Sequence, residues 1–112
     1  MKIVNCTKER CTHYCGRSTS VSKALGSPID MSKHLGNPFP MRENSEKERA
    51  RVVQEHKVDL WRRIRSRDSD AYFAVKNLPD DAVLGCFCAP RACHCENLIL
   101  AHEWANTKVV EL

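Results

Sequence analysis

Residues 82–96 read Ala82-Val83-Leu84-Gly85-Cys86-Phe87-Cys88-Ala89-Pro90-Arg91-Ala92-Cys93-His94-Cys95-Glu96. The run from Ala82 to Cys88 is continuously apolar and of strand length, the pattern of a central strand covered on both faces. Pro90 marks the turn Ala89–Ala92 that follows. From about Cys93 to Ala105, Leu98, Ala101 and Ala105 recur on one helical face. This stretch therefore predicts a strand, a turn and a helix. In an open α/β sheet the carboxyl end of such a strand is where ligands bind, and a helix beginning there offers free N–H groups to an anion.

Working outward, Ser45 and Glu48 match a capping box, and Ala50, Val53, Leu60, Trp61 and Ile64 then recur at helical spacing. They predict a helix over about Ser45–Arg65, with Arg49, Arg51, Arg62, Arg63 and Arg65 on a solvated outer face. A shorter helix over Asp68–Asn77 has Ser66 or Ser69 as its cap and Ala71, Phe73, Ala74 and Leu78 for packing. Leu78-Pro79-Asp80-Asp81 ends it. Lys2–Cys6 reads as a first strand and Lys108–Leu112 as a last one. Between the first strand and the long helix, about residues 7–42, lie Gly16, Gly26, Gly36, Pro28, Pro38 and Pro40, which predict a long loop with one helical turn near Val21–Leu25. A loop of that length in a small domain is expected to be functional. The order β, loop, α, α, β, α, β predicts a single-domain α/β sandwich over residues 1–112, with a mostly parallel sheet of about three strands and flanking helices.

The composition sets the class. With 42% apolar and 29% charged residues the chain reads as globular, and no apolar run approaches the roughly 20 residues that cross a bilayer. Met1–Lys8 lacks the apolar core of a secretory signal, so the expected location is cytoplasmic and the expected state of the cysteines is reduced. There are seven cysteines, and an odd number cannot be fully paired within one chain. Residues 1–67 carry 15 Lys+Arg against 7 Asp+Glu, whereas residues 68–112 carry 3 against 7. The basic residues are scattered and aromatics are sparse, which ranks nucleic acid below a small ligand as partner. A core this small would gain from burial in a homo-oligomer.

Four cysteines, a histidine and an acid fall within residues 86–96. Three readings stay open at this point. In one, the turn and helix start bind a phosphate, with Arg91 and His94 as partners and a thiol at Cys93 or Cys95 made more acidic by the helix end. In another, Cys86, Cys88, Cys93 and His94 or Cys95 hold zinc, joined by Cys11, His13 and Cys15, although the spacing differs from paired C-x-x-C knuckles. In the third, Cys86 is core. Neighbouring residues on a helix diverge, so a thiol–histidine pair is expected to need His13, His34 or His102 instead of His94.

Asn5, Tyr14-Cys15-Gly16-Arg17, Leu35-Gly36-Asn37-Pro38-Phe39 and the Cys86-x-Cys88-x-Pro90-x-x-Cys93-His94-x-x-x-Leu98 run resemble, in matching order, the small phage and bacterial proteins grouped as domain of unknown function 4326. Cys95-Glu96 departs from the Gly-Asp that follows Cys-His in that family. The resemblance implies that the loops converge on one site built from Asn5, Arg17, Gly36, Asn37, Cys88, Arg91, Cys93, His94 and Glu96. In that arrangement Arg17 either supplies a planar cation suited to phosphate or carboxylate or pairs internally with an acid such as Glu96. The resulting expectation is a phage-encoded protein that binds a phosphorylated ligand, a nucleotide or a nucleotide derivative. The alternatives are a zinc module on Cys86, Cys88, Cys93 and His94, and a protein that binds and modulates a host protein. No catalytic residue is assigned.

Overall fold

The β-branched opening of the chain finds its partner in the apolar run near the other end. In the computed structural model, which describes residues 1–89, 91 and 93–107, β1 (Lys2–Asn5) lies parallel to β4 (Val83–Cys86). Their register sets Lys2 opposite Val83 and Asn5 opposite Cys86. The apolar run leaves the ladder at Cys86, two residues earlier than expected. Asn5 accounts for this, because its Nδ2 donates to the carbonyls of Phe87 (3.3 Å) and Ala89 (3.4 Å) and so holds the turn with a side chain.

The segment read as a loop contributes two further strands, β2 (His13–Tyr14) and β3 (Ile29–Asp30). The sheet order is β1-β4-β2-β3, and every pairing is parallel. Two-residue strands are too short to display a period of two, which is why the pattern concealed them. β4 is thus central, as expected, with Leu84, Gly85 and Cys86 buried. Gly85 is required there: a Cβ would collide with Cys11 Sγ on the adjoining segment. The expected helical turn appears as a 3-10 turn over Ser18–Lys23. The strand expected at 108–112 lies outside the described residues.

Helices α1 (Ser32–Leu35), α2 (Glu46–Ile64), α3 (Asp70–Lys76) and α4 (Cys95–Asn106) complete the fold. Ser45 Oγ accepts from Glu48 N–H (3.2 Å), and Ser69 Oγ accepts from Tyr72 N–H (3.1 Å). The capping box is only half formed. The Glu48 carboxylate instead receives Arg42 N–H and Arg51, which hold it down at about 2, well below the ordinary carboxylate range.

The buried face of α2 is Arg49, Val52, His56, Leu60 and Ile64, while Ala50 is exposed. It is rotated from the expected stripe because a histidine occupies one of its i+4 positions. Of the arginines expected outside, Arg49 is buried and Arg51 pairs with Glu48 and Glu55. On α3 the inward residues are Ala71, Tyr72 and Val75; Phe73 points outward, 47% exposed. On α4, Leu98, Ala101 and Ala105 are buried as read.

The larger core, with Leu35, Leu60, Ile64, Leu84 and Leu98 among its members, joins the helices to the sheet. Val4, Cys6, Cys11 and Tyr14 form a smaller one, covered by Val21 of the 3-10 segment and by Ala24 just after it. The sheet is therefore covered on both faces, and its carboxyl edge points toward the loops.

Candidate functional site

Parallel strands end at one edge, so β1, β2 and β4 deliver Asn5, Cys15-Gly16-Arg17 and Cys86 to the same place. The loop after α1 folds back over that edge. A Cβ at Gly36 would stand 2.8 Å from Gly16 O, so glycine lets two of the motif segments touch through their backbones. Asn37 then latches the loop to α2, donating to Val52 O (3.0 Å) and accepting from Phe39 N–H (2.9 Å). Arg17 Nη2 donates to Phe39 O (3.3 Å).

Two hollows result. The larger, about 580 Å³, is lined by Gly16, Arg17, Lys33, Asn37, Asp59 and Arg63 among others. The smaller, about 230 Å³, is lined by Arg17, Asn37, Phe39, Phe87, Cys88 and His94 among others. Gly16, Arg17 and Asn37 belong to both.

Behind the smaller hollow lies a sulfur cluster. The Sγ atoms of Cys86, Cys93 and Cys95, all buried, lie within 4.8 Å of one another, a group able to hold a metal ion. Cys93 Sγ is 2.8 Å from Cys86 Sγ and 3.7 Å from His94 Nδ1. Hydrogen bonds from the Cys86, Cys88 and Cys95 thiols hold Cys93 far below the ordinary thiol range. Cys86 is lowered to about 7, chiefly by Cys88. Cys88 and Cys95 move the other way: Cys88 is raised by its bonds to Cys86 and Cys93, and Cys95 by its bonds to Cys15, Cys86 and Cys93. At His94 burial opposes the charge, but the bond to Cys93 and its negative charge outweigh that and raise the imidazole to about 9. The Cys93 thiol is thus the acidic member of the cluster and faces the His94 ring, with Cys88 and Cys95 as donors around it.

This pairing corrects the expectation that Cys93 and His94 cannot meet. Helix α4 begins only at Cys95, so both residues sit in the turn before it, where helical divergence does not apply. His94 Nε2 donates to Cys15 O (2.5 Å), which ties the turn to β2.

His56 was missed. It is fully buried, and its ring centroid is 4.9 Å from that of His94. Its Nε2 donates to Leu35 O (3.2 Å) and its Nδ1 accepts from Asn97 Nδ2 (3.1 Å). Burial, then the charge at His94, push its pKa down to about 4, so it is neutral. The only signal for it was its place in the series Val52, His56, Leu60, Ile64.

The structure brings Arg17, Gly36, Asn37, Cys88 and His94 to the walls of the cleft, with Cys93 behind them. Asn5 braces the turn. Arg91 and Glu96 are exposed and line neither hollow. The start of α4 does not offer free N–H groups: Cys95 N–H points at Cys93 Sγ (3.5 Å), Glu96 N–H at Cys93 O (3.1 Å) and Asn97 N–H at His94 O (3.0 Å). Cys11 lies in the smaller core, and His13, buried on β2, contacts Thr12 Oγ1 (2.7 Å). Neither belongs to the sulfur group within ligating reach.

A parallel α/β sheet with a cleft at its carboxyl edge and a buried cysteine cluster beneath it defines the class: a small cysteine-rich α/β protein. The chain belongs to the family described as Domain of unknown function (DUF4326), whose profile matches residues 3–105 of the 112. Comparison with curated proteins and with solved structures gives no match. Among the described residues no helix is long and apolar enough to cross a membrane.

Proposed function

We propose that the protein binds a small phosphorylated ligand, a nucleotide or nucleotide derivative, in the cleft at the carboxyl edge of the sheet. The supporting observation is the position of Arg17. It is exposed where the two hollows meet, and among the described residues its guanidinium makes one bond, to Phe39 O, which leaves most of a five-donor fork for a ligand. Titration calorimetry against a nucleotide panel tests the reading. Replacing Arg17 by alanine is expected to weaken binding by about 1.5–3 kcal/mol, the scale of a charged hydrogen bond. Equal affinity in wild type and R17A overturns it.

A second reading, zinc held by Cys86, Cys93 and Cys95, is favoured by the closeness of their three sulfurs. Zinc takes thiolates at about 2.3 Å, and the surroundings of Cys93 push its thiol toward the ionised form. Full burial of all three suits a structural site more than a catalytic one. Elemental analysis after metal-replete expression decides it: one zinc per chain supports the reading, and none rejects it.

A further inference from the structure

The phosphorylated-ligand reading leaves open where the phosphates go. The start of α4 is closed to them, since its first N–H groups bond within the turn, and His94 spends Nε2 on Cys15 O. Arg91 stands outside the cleft. The remaining positive charge lies in the larger hollow, on Arg17, Lys33 and Arg63. One acid, Asp59, shares that hollow, and its carboxylate is divided between Arg62 (2.6 Å) and Arg63 (3.0 Å). Arg63 is also pinned by donation to His34 O (2.8 Å), so its fork is held in place before any ligand arrives. Among the described residues neither Arg17 nor Lys33 is paired with an acid.

The smaller hollow has the opposite character. Phe39, Met41, Val52 and Phe87 make it mostly apolar, and Asn37 and Ser20 supply a few polar groups. That combination suits a planar heterocycle, which stacks on aromatic rings and is oriented by a few hydrogen bonds. Arg17 borders both hollows, whereas Lys33 and Arg63 border only the larger. A phosphate at the junction meets Arg17, and a longer phosphate chain extends into the part of the cleft that Lys33 and Arg63 border.

We infer that the cleft is built for a nucleoside di- or triphosphate, with its base in the smaller hollow against Phe39 and Phe87 and its phosphate chain in the larger against Arg17, Lys33 and Arg63. This rests on the phosphorylated-ligand reading and adds the orientation of the ligand and the number of its phosphates.

Calorimetry with adenosine and guanosine mono-, di- and triphosphates and with inorganic pyrophosphate tests it. Lys33 is exposed, so Lys33→Glu leaves the fold intact. It is expected to weaken the di- and triphosphates and pyrophosphate by about tenfold or more, and the monophosphates far less. Phe87→Ala, at a ring 39% exposed, is expected to weaken the nucleotides by about tenfold and leave pyrophosphate unchanged. Thermal melts confirm that both variants fold. Nucleotide binding that needs Arg17 but ignores Lys33→Glu overturns this orientation and leaves the broader reading standing. Monophosphates binding as tightly as di- and triphosphates also overturn it. If no nucleotide binds the wild type, both fall together.

Discussion

His56 shows how one buried side chain couples the site to stability. Its depressed pKa of about 4, against 6.5 in an unfolded chain, means that the unfolded state takes up a proton between those values while the native state does not. The contribution of His56 is therefore complete above about pH 6.5 and falls as the pH drops toward 4. The loss is expected to reach about 3 kcal/mol for this group, a 2.5-unit shift at about 1.36 kcal/mol per unit. The charged or titratable groups facing it are His94 in the turn before α4 and Arg63 and Asp59 on its own helix. His94, raised to about 9, acts in the opposite sense: its contribution is complete below about pH 6.5 and is lost as the pH rises toward 9, in wild type and in a His56 variant alike. His13, also lowered by burial, adds in the same direction. Urea unfolding at several pH values should show a shallower acid dependence in His56→Gln than in wild type, and parallel curves would exclude the role given to His56. Gly85 acts at the same scale. Gly85→Ala forces a methyl into Cys11 Sγ and should cost about 1–3 kcal/mol in the same assay.

Among the elements, α2 carries both the cap that the sequence announces and the face that it hides. Ser45 Oγ holds Glu48 N–H, so Ser45→Ala should cost about 1 kcal/mol, read as a lower thermal midpoint. Glu48→Gln should cost less, because the carboxylate serves exposed Arg42 and half-exposed Arg51 and does not close the box. Helices announced themselves through caps and a 3.6-residue period, and all three long ones were legible to within about two residues at each end. β1 and β4 were legible from β-branched and apolar runs. β2 and β3 were not, because two residues cannot establish an alternation and their pairing partners are far along the chain. The inner face of α2 departs from the apolar stripe for a related reason: apolarity alone skips a histidine whose two nitrogens are satisfied inside the core.

At the scale of the whole molecule, the cleft exists because the loop after α1 is fastened to α2. Asn37 makes both bonds of the latch, so Asn37→Ala should raise hydrogen exchange across residues 36–42 and leave α3 and α4 protected. Unchanged protection of that loop would mean that the Gly16–Gly36 contact alone holds it. The same fastening brings Arg17 and Asn37 from distant positions to the wall shared with Cys88 and His94. Their convergence was legible only through the order of the motifs, as a resemblance. Lys33 and Arg63 gave no signal at all, being ordinary surface cations until the loop encloses them.

The sequence by itself determined the α/β class, the central strand, the cysteine–histidine turn and the family, because each is written in residues close together along the chain. Only the tertiary structure decided which sulfurs lie together, that Cys93 faces His94, that the start of α4 is closed, and where free cations remain. These depend on pairings between segments as far apart as β1 and β4, or Cys15 and His94. No local period or spacing encodes such contacts, and packing and hydrogen bonding across the assembled sheet edge settle them.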